Sequence, residues 1–436
     1  MFARSSLSFL TLLPAVALAL PARADTTLPG FALARSANPA PSSVVCSLPD
    51  GDFVSFDGQQ VVRWNSDGTL DTTLASYSSF VFPSFIRLTP DEDAVVIGDS
   101  GGFSPNPAGD LRLVQLDGSG TSLVATLAYN FDGEFLPSGE LLVSAAPSGF
   151  SAGTDLFRID LASGLSTFLG HFDGPSGPVA VSRSGDVFYG TQQDSSLPTT
   201  PQSVLRWSAS LVASGTTLTT SNASVYLTGL TGTSALEFEP GRERLFLAEN
   251  NFSTGSYRIL RVRPGGQSSQ QLLVADGWIS SLRFERHGDG TFDAYQPGDG
   301  LRIAYTTTDF FSFDDLVHFA PARPQLALSG MGLAGMGPVS FSLTGGVPNG
   351  SALLTYCPQS ALLPQETSYP LPGFLLRTPF LLASTLRMPF LVPTDANGSG
   401  SLTLWNPGGL KGQYGWQFLV GRPNGSFVGA SDAEQF

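Results

Sequence analysis

A single phrase of four short strands recurs six times between Cys46 and Ala320, and this repeat leaves the chain few architectures to choose from. Each copy opens with an apolar strand closed by a Pro/Gly/Asp turn. A Val/Leu/Phe strand, a variable loop, a strand carrying an Arg between large apolar residues, and a polar last strand follow. The clearest copy begins at Pro83 and reads PSFIRLTPDE, DAVVIGDSGG, GDLRLVQLDGSG and TSLVATLA. The turn after the first strand falls at Pro49, Pro90, Pro137, Arg183, Pro240 and around Arg286, at separations of 41, 47, 46, 57 and 46 residues. A unit of this size cannot bury its apolar faces alone, so it must pack against its neighbours in the chain.

Four-stranded units of that period close into a β-propeller, which removes most exposed sheet edges. The blades are expected at roughly 43–76, 77–128, 129–172, 173–228, 229–276 and 277–320. The sixth copy lacks a fourth strand, and its absence would leave a row of unpaired backbone donors and acceptors. Phe31 to Ala34, otherwise unassigned, are expected to supply that strand and close the ring. The repeated Arg of the third strand is read as covering a blade edge or pairing with a nearby acid.

Residues 1–24 have a basic start at Arg4, an apolar stretch from Leu7 to Leu20 and an Ala22-Arg23-Ala24 cleavage pattern. This is a secretory signal peptide, so the chain is expected to be exported, to the periplasm, the cell surface or the medium. Cleavage removes Arg4 and Arg23 and no acid, taking the net charge from -14 to -16. Such a surface repels phosphate backbones, which argues against nucleic acid and anionic lipid as partners. From Pro324 onward four acids balance four bases, so the acidic excess belongs to the repeats. That asymmetry marks a boundary, with 321–324 read as a stiff linker. Cys46 and Cys357 fall on either side of it and are read as two unpaired buried thiols.

Residues 325–436 show seven or eight short strands split by Gly, Pro and Asn turns, which predicts a β-sandwich. The fold class is therefore all-β: a six-bladed β-propeller followed by a C-terminal β-sandwich.

The stretches Thr89-Pro90-Asp91, Val95 to Gly101 and Leu111 to Leu116 resemble blades of the NHL and SMP-30-like propellers. The resemblance spans about 25–320. It implies the fold and leaves function open, because lactonases, lyases, receptors and scaffolds share this architecture. The segment from Leu391 to Leu402, with Trp416-Gln417-Phe418 and the final Ser431 to Phe436, is similar to a C-terminal module of many exported proteins of planctomycete-type bacteria. That resemblance implies a sorting, anchoring or assembly role.

Chemistry is thinly written in the chain. Only His171, His287 and His318 are available to a nucleophilic triad, and no G-x-S-x-G elbow accompanies them. The SMP-30-like lactonases hold a divalent cation, Ca²⁺ among them, through an early Glu with Asn and Asp residues. The matching start here is Ser43-Val44-Val45, without that Glu. Loops between strands two and three, and loops between blades, share one face of a propeller. Asp99, Asp132, Glu134, Asp173, Asn250, Asn251 and Asp276 are expected towards that mouth, either as ligand-binding groups or as ordinary turn residues. Phe103 and Trp278 are expected beside them, among aromatics that include Tyr77, Phe80 and Phe82. Asp289, Asp293 and Asp299 offer a second candidate Ca²⁺ loop, without the closing Glu of an EF-hand. The favoured expectation is a binding or scaffold propeller that recognises a protein or glycan at the cell surface, with no cofactor. The alternatives are a metal-dependent lactonase or lyase and a structural envelope protein.

Overall fold

The computed structural model describes residues 25–28, 31–37, 44–101, 109–149, 152–191, 202–240, 244–251, 254–263, 265–285, 301–306, 315–321, 324–347, 349–358, 367–368, 375–376, 390–408, 413–421, 427–431 and 434–435. The proposed signal peptide, Phe103, and the Asp289, Asp293 and Asp299 loop lie outside the described residues.

Six antiparallel sheets form the ring, each built on four strands; the fifth gains a short fifth strand from the N-terminus and the sixth is completed by the N-terminus. Their innermost strands are Val44–Ser47, Pro83–Leu88, Asn130–Phe135, Val179–Val181, Thr233–Phe238 and Trp278–Phe284. Each of these touches the next, and Trp278–Phe284 returns to Val44–Ser47, which closes the circle. The second strand of each described blade core, such as Ala94–Asp99 or Leu141–Ala145, is buried along nearly its whole length. It lies inside its sheet with a blade on either side, so a continuous apolar run replaces alternation. The outermost strands are mostly exposed and polar, as in Leu70–Ser76.

The apolar cores lie between blades rather than within them. Val54, Phe56 and Val61 of the first blade pack on Ile86, Val95 and Ile97 of the second. Leu111 and Leu127 meet Leu141 and Val143, and the pattern repeats around the ring. Each strand face is thereby covered by a neighbour, which is why the period, and not any single copy, carries the fold.

The ring closes as the sequence predicts and over a longer stretch. Phe31–Ala37 pairs antiparallel with Asp315–Pro321 from Phe31↔Pro321 to Ala37↔Asp315. The same N-terminal segment also has a second role that the sequence did not suggest. Thr26–Thr27 pairs with the outer strand Ser269–Ala275 of the fifth blade, and the Leu28 N–H donates to the Leu272 carbonyl at 2.7 Å. Leu28, Phe31 and Leu33 then pack on the core between blades five and six.

Blade four departs from the plain repeat. Between its third and fourth strands sit a helix at Ala209–Ala213, capped by Ser208, and a 3-10 turn at Thr220–Asn222. They account for part of its longer 57-residue spacing. Three of the repeated Arg residues pair with equivalent acids of their own blade: Arg63 with Asp52 at 2.9 Å, Arg158 with Glu140 at 3.1 Å, and Arg206 with Asp186 at 2.5 Å. These acids each stand three residues after the blade's first turn.

Beyond the ring, Gln325–Ser329, Gly337–Thr344 and Gly400–Asn406 form one sheet. A second sheet is ordered Phe390–Pro393, Ser351–Pro358, Tyr414–Gly421, Phe427–Ala430. Leu326, Val339 and Phe341 of the first pack on Leu354, Trp416 and Phe418 of the second, with Phe341 and Trp416 centroids 4.6 Å apart. Two sheets sharing one core make a β-sandwich. Cys46 is buried in the first blade, while the Cys357 side chain lies outside the described ones.

Candidate functional site

The position three residues before each blade's first turn reads Cys46, Arg87, Glu134, Ala180, Glu237 and Arg283 around the ring. All six stand on or beside the innermost strands, one from each blade, and four of them are charged. Cys46 and Ala180 lie in the apolar cores between blades; the four charged residues are turned to one another where water is scarce, and charges there must find partners.

They do so through Asp132, two residues before Glu134 on the same strand face. The Arg87 Nη2 donates to Asp132 Oδ1 at 2.9 Å and its Nε to Glu134 Oε2 at 3.0 Å. Across the axis, Arg283 Nη2 lies 3.6 Å from Asp132 Oδ1 and its Nη1 donates to Glu237 Oε2 at 3.1 Å. The Val179 N–H of blade four donates to Asp132 Oδ2 at 3.1 Å. One carboxyl thus touches blades two, three, four and six. Arg87, Asp132 and Arg283 are all buried, with relative exposures of 4%, 4% and 7%.

Burial pushes the Asp132 carboxyl up to about 6, against the pull of Arg87 and the Val179 and Gly133 N–H groups, and Glu134 adds to the rise. Burial also works against the charge of Arg87, but Asp132, Glu134 and Glu237 together hold it above the ordinary arginine range. The folded chain therefore takes up the Asp132 proton at higher pH than the unfolded chain, whose carboxyl keeps the ordinary value of 3.8. The stability this group gives is complete below that ordinary value and is lost as pH rises through about 6. Urea unfolding of the wild type and of Asp132→Asn at pH 4 and pH 7 measures it. The wild type is expected to lose about 2 kcal/mol relative to the variant on going from pH 4 to pH 7. An unchanged difference between the two pH values would refute the shift.

The remaining expected site residues serve the rim one by one. Asp99 Oδ1 accepts from the Phe82 N–H at 3.1 Å and the Gly101 N–H at 2.9 Å. Asn250 binds the Ile279 backbone in both directions, its Nδ2 donating to the carbonyl at 2.8 Å and its Oδ1 accepting from the N–H at 3.1 Å. It is a seam between blades five and six. Asn251 Oδ1 accepts from the Thr254 N–H at 3.1 Å, an ordinary Asx turn. The Asp276 N–H donates to Asp25 Oδ1 at 2.9 Å, which ties the N-terminal segment to the rim. Asp173 is exposed on the loop between blades three and four, and Trp278 is half-buried at the start of an inner strand. Of the expected polar residues, the structure brings Asp132 and Glu134 to a common partner, Arg87. Among the described residues, no group of three or more His, Cys, Asp or Glu side chains could hold a metal ion.

Arg87, Glu237 and Arg283 are functional-looking residues that a motif search passes over, since no two are close in sequence. Their signal was the constant offset from the blade turn. His171 pairs with Asp155 at 2.7 Å across strands three and four of its blade, not with the nearby Asp173.

Aromatic groups complete the rim where it is described. Phe80 and Phe82, on the loop from blade one to blade two, are 55% and 37% exposed and meet edge to face at 5.2 Å. This loop is fastened at both ends. The Val81 N–H donates to the Gly58 carbonyl at 2.8 Å, and the Ser100 N–H to the Phe82 carbonyl at 2.9 Å. Gly58 has φ +92°, and a Cβ there would lie 2.4 Å from the Val81 carbonyl oxygen, so only glycine allows this approach. Tyr77 turns inward instead, 5.7 Å from Phe56.

Comparison with family models finds no match, and neither does comparison with the sequences of curated proteins. Solved structures do superpose on the chain. A candidate gluconolactonase matches at 14% identity and TM-score 0.47, covering 67% of this chain and 93% of its own. The PQQ-bound aldose sugar dehydrogenase of Streptomyces coelicolor matches at 12% identity and TM-score 0.46, covering 68% and 99%. An auxiliary nutrient binding protein of Bacteroides thetaiotaomicron matches at 10% identity and TM-score 0.45, covering 68% and 76%. The assignment of this chain as a β-propeller rests on its own closed ring of six sheets.

Proposed function

We propose that the chain is an exported binding propeller, residues 25–320, joined to a sandwich module, residues 325–436. It recognises a protein or glycan at the cell surface through its loop-bearing face. The observation that carries this reading is the Phe80–Phe82 pair: two exposed rings on a loop whose backbone is held by both flanking blades. Rigid aromatics offer contact area at little entropic cost on binding. The axis supports the same reading. Its carboxylates are already engaged by Arg87 and Arg283, so a divalent cation entering there would meet like charge. The belt reads as a hub that fixes blades two to six and the loops they carry. Among the described residues, no helix is long and apolar enough to cross a membrane.

Glycan-array and pull-down screening of the wild type, followed by the double variant Phe80→Ala/Phe82→Ala, tests the reading. Affinity for the captured partner is expected to fall at least about thirtyfold with the melting temperature unchanged. Undiminished capture by the double variant would move the binding surface elsewhere. A divalent-cation-dependent hydrolysis of lactones by the wild type would replace the reading with a catalytic one.

A further inference from the structure

The outward face of the three-stranded sheet in the sandwich has a composition of its own. Its strands read Gln325–Ser329, Gly337–Thr344 and Gly400–Asn406, and none of their residues is ionisable. Alternation sends Val339, Phe341 and Leu343 to the core, with Leu402 and Leu404 packed beside them, and turns the intervening residues outward. Register then lines hydroxyls up across the sheet. Ser329, Ser340 and Thr403 form one row, and Ser342 pairs with Ser401 in the next. The Ser340 and Thr403 hydroxyls hydrogen-bond at 2.9 Å, which orients them. At one end of this grid Trp405, opposite Pro338, is 67% exposed. The adjoining 330–336 loop carries Met331 and Met336, 75% and 69% exposed. It is fastened to the Trp405 strand by Asn406, whose Nδ2 donates to the Gly332 carbonyl at 2.8 Å and the Gly335 carbonyl at 3.0 Å.

We propose that this face binds a neutral polysaccharide, with Trp405 stacking on a sugar ring and the Ser/Thr rows meeting its hydroxyls. Charge selects the occupant. An anionic glycan would find no cation on these strands. A cationic partner would find no acid. Serine is depleted at protein–protein interfaces, and this face is built largely of it, which sets it apart from a protein-docking surface. A flat hydroxyl grid ending in one large amphipathic ring suits a ligand that is itself flat, uncharged and rich in hydroxyls. The site is separate from the Phe80–Phe82 rim and does not depend on it.

The test uses the full chain. Pull-down on insoluble cellulose and chitin, and affinity electrophoresis through soluble β-glucan, are run with wild type, Trp405→Ala, Trp405→Phe, Thr403→Glu and Phe80→Ala/Phe82→Ala. At least one of these neutral polysaccharides is expected to retain the wild type, equally at about 50 and about 500 mM NaCl, since no ion pairs are involved. Trp405→Ala and Thr403→Glu are expected to weaken retention at least about tenfold. Trp405→Phe keeps part of it, and the Phe80/Phe82 variant keeps all of it. Far-UV circular dichroism and melting temperature establish that each variant is folded. Should Trp405→Ala not fold, the Thr403→Glu and Trp405→Phe results decide alone. Three outcomes overturn the proposal: no retention on any of the three neutral polysaccharides, retention that survives both Trp405→Ala and Thr403→Glu, or retention that is lost at about 500 mM NaCl. A Trp405-dependent dimer by light scattering without polysaccharide binding would assign the face to a second copy and overturn it as well.

Discussion

Arg87→Met is expected to lower the free energy of unfolding by about 3–5 kcal/mol, measured by urea denaturation at pH 7. Methionine fills most of the arginine volume, so packing loss is small. What remains is electrostatic. Arg87 is the group that holds both Asp132 at 2.9 Å and Glu134 at 3.0 Å. Without it, two carboxylates face the axis with Arg283 as the remaining nearby cation among the described residues, and Asp132 is 4% exposed. An uncompensated buried charge is far costlier than the absence of the whole pair. The combined variant Arg87→Met/Asp132→Asn/Glu134→Gln should therefore recover much of the loss. A single-variant loss under about 1 kcal/mol would place the belt in solvent and end its role as the hub.

Removing residues 25–37 is the other large effect. It deletes seven paired positions between Phe31–Ala37 and Asp315–Pro321, together with the Thr26–Thr27 pairing on blade five. At about 0.5–1.5 kcal/mol for each ladder bond, the loss is on the order of 5 kcal/mol before the packing of Leu28, Phe31 and Leu33 is counted. The freed edge of Asp315–Pro321 would pair with other molecules. Light scattering is expected to show association and urea unfolding an earlier, broader transition. A monomer with the wild-type midpoint would mean that the ring closes by side-chain packing alone.

Much of the fold was legible because the repeat is periodic. Six turns at comparable spacing, each preceded by an apolar strand, have few solutions, and the missing fourth strand of the last copy pointed to Phe31 to Ala34, within the strand that closes the ring. The site was legible only in pieces. Asp132 and Glu134 were picked as carboxylates near a mouth, whereas Arg87 was read as part of a repeat and Arg283 not at all. Asn250 looked like a ligand-binding amide and proves to be a seam on Ile279. A sequence shows which residues are polar, but not which polar neighbour, distant along the chain, has already satisfied them.

The amino-acid order alone determined the strand pattern, the blade count, the two-part organisation of the described strands and the surplus of negative charge. Those are local or periodic properties, written in alternation, turn residues and composition. The tertiary structure decided that Arg87, Asp132, Glu134, Glu237 and Arg283 form one belt, and that Trp405 stands at the end of rows of hydroxyls. Closing a ring brings together residues from blades nearly two hundred positions apart, and register across a sheet aligns side chains that the chain itself scatters.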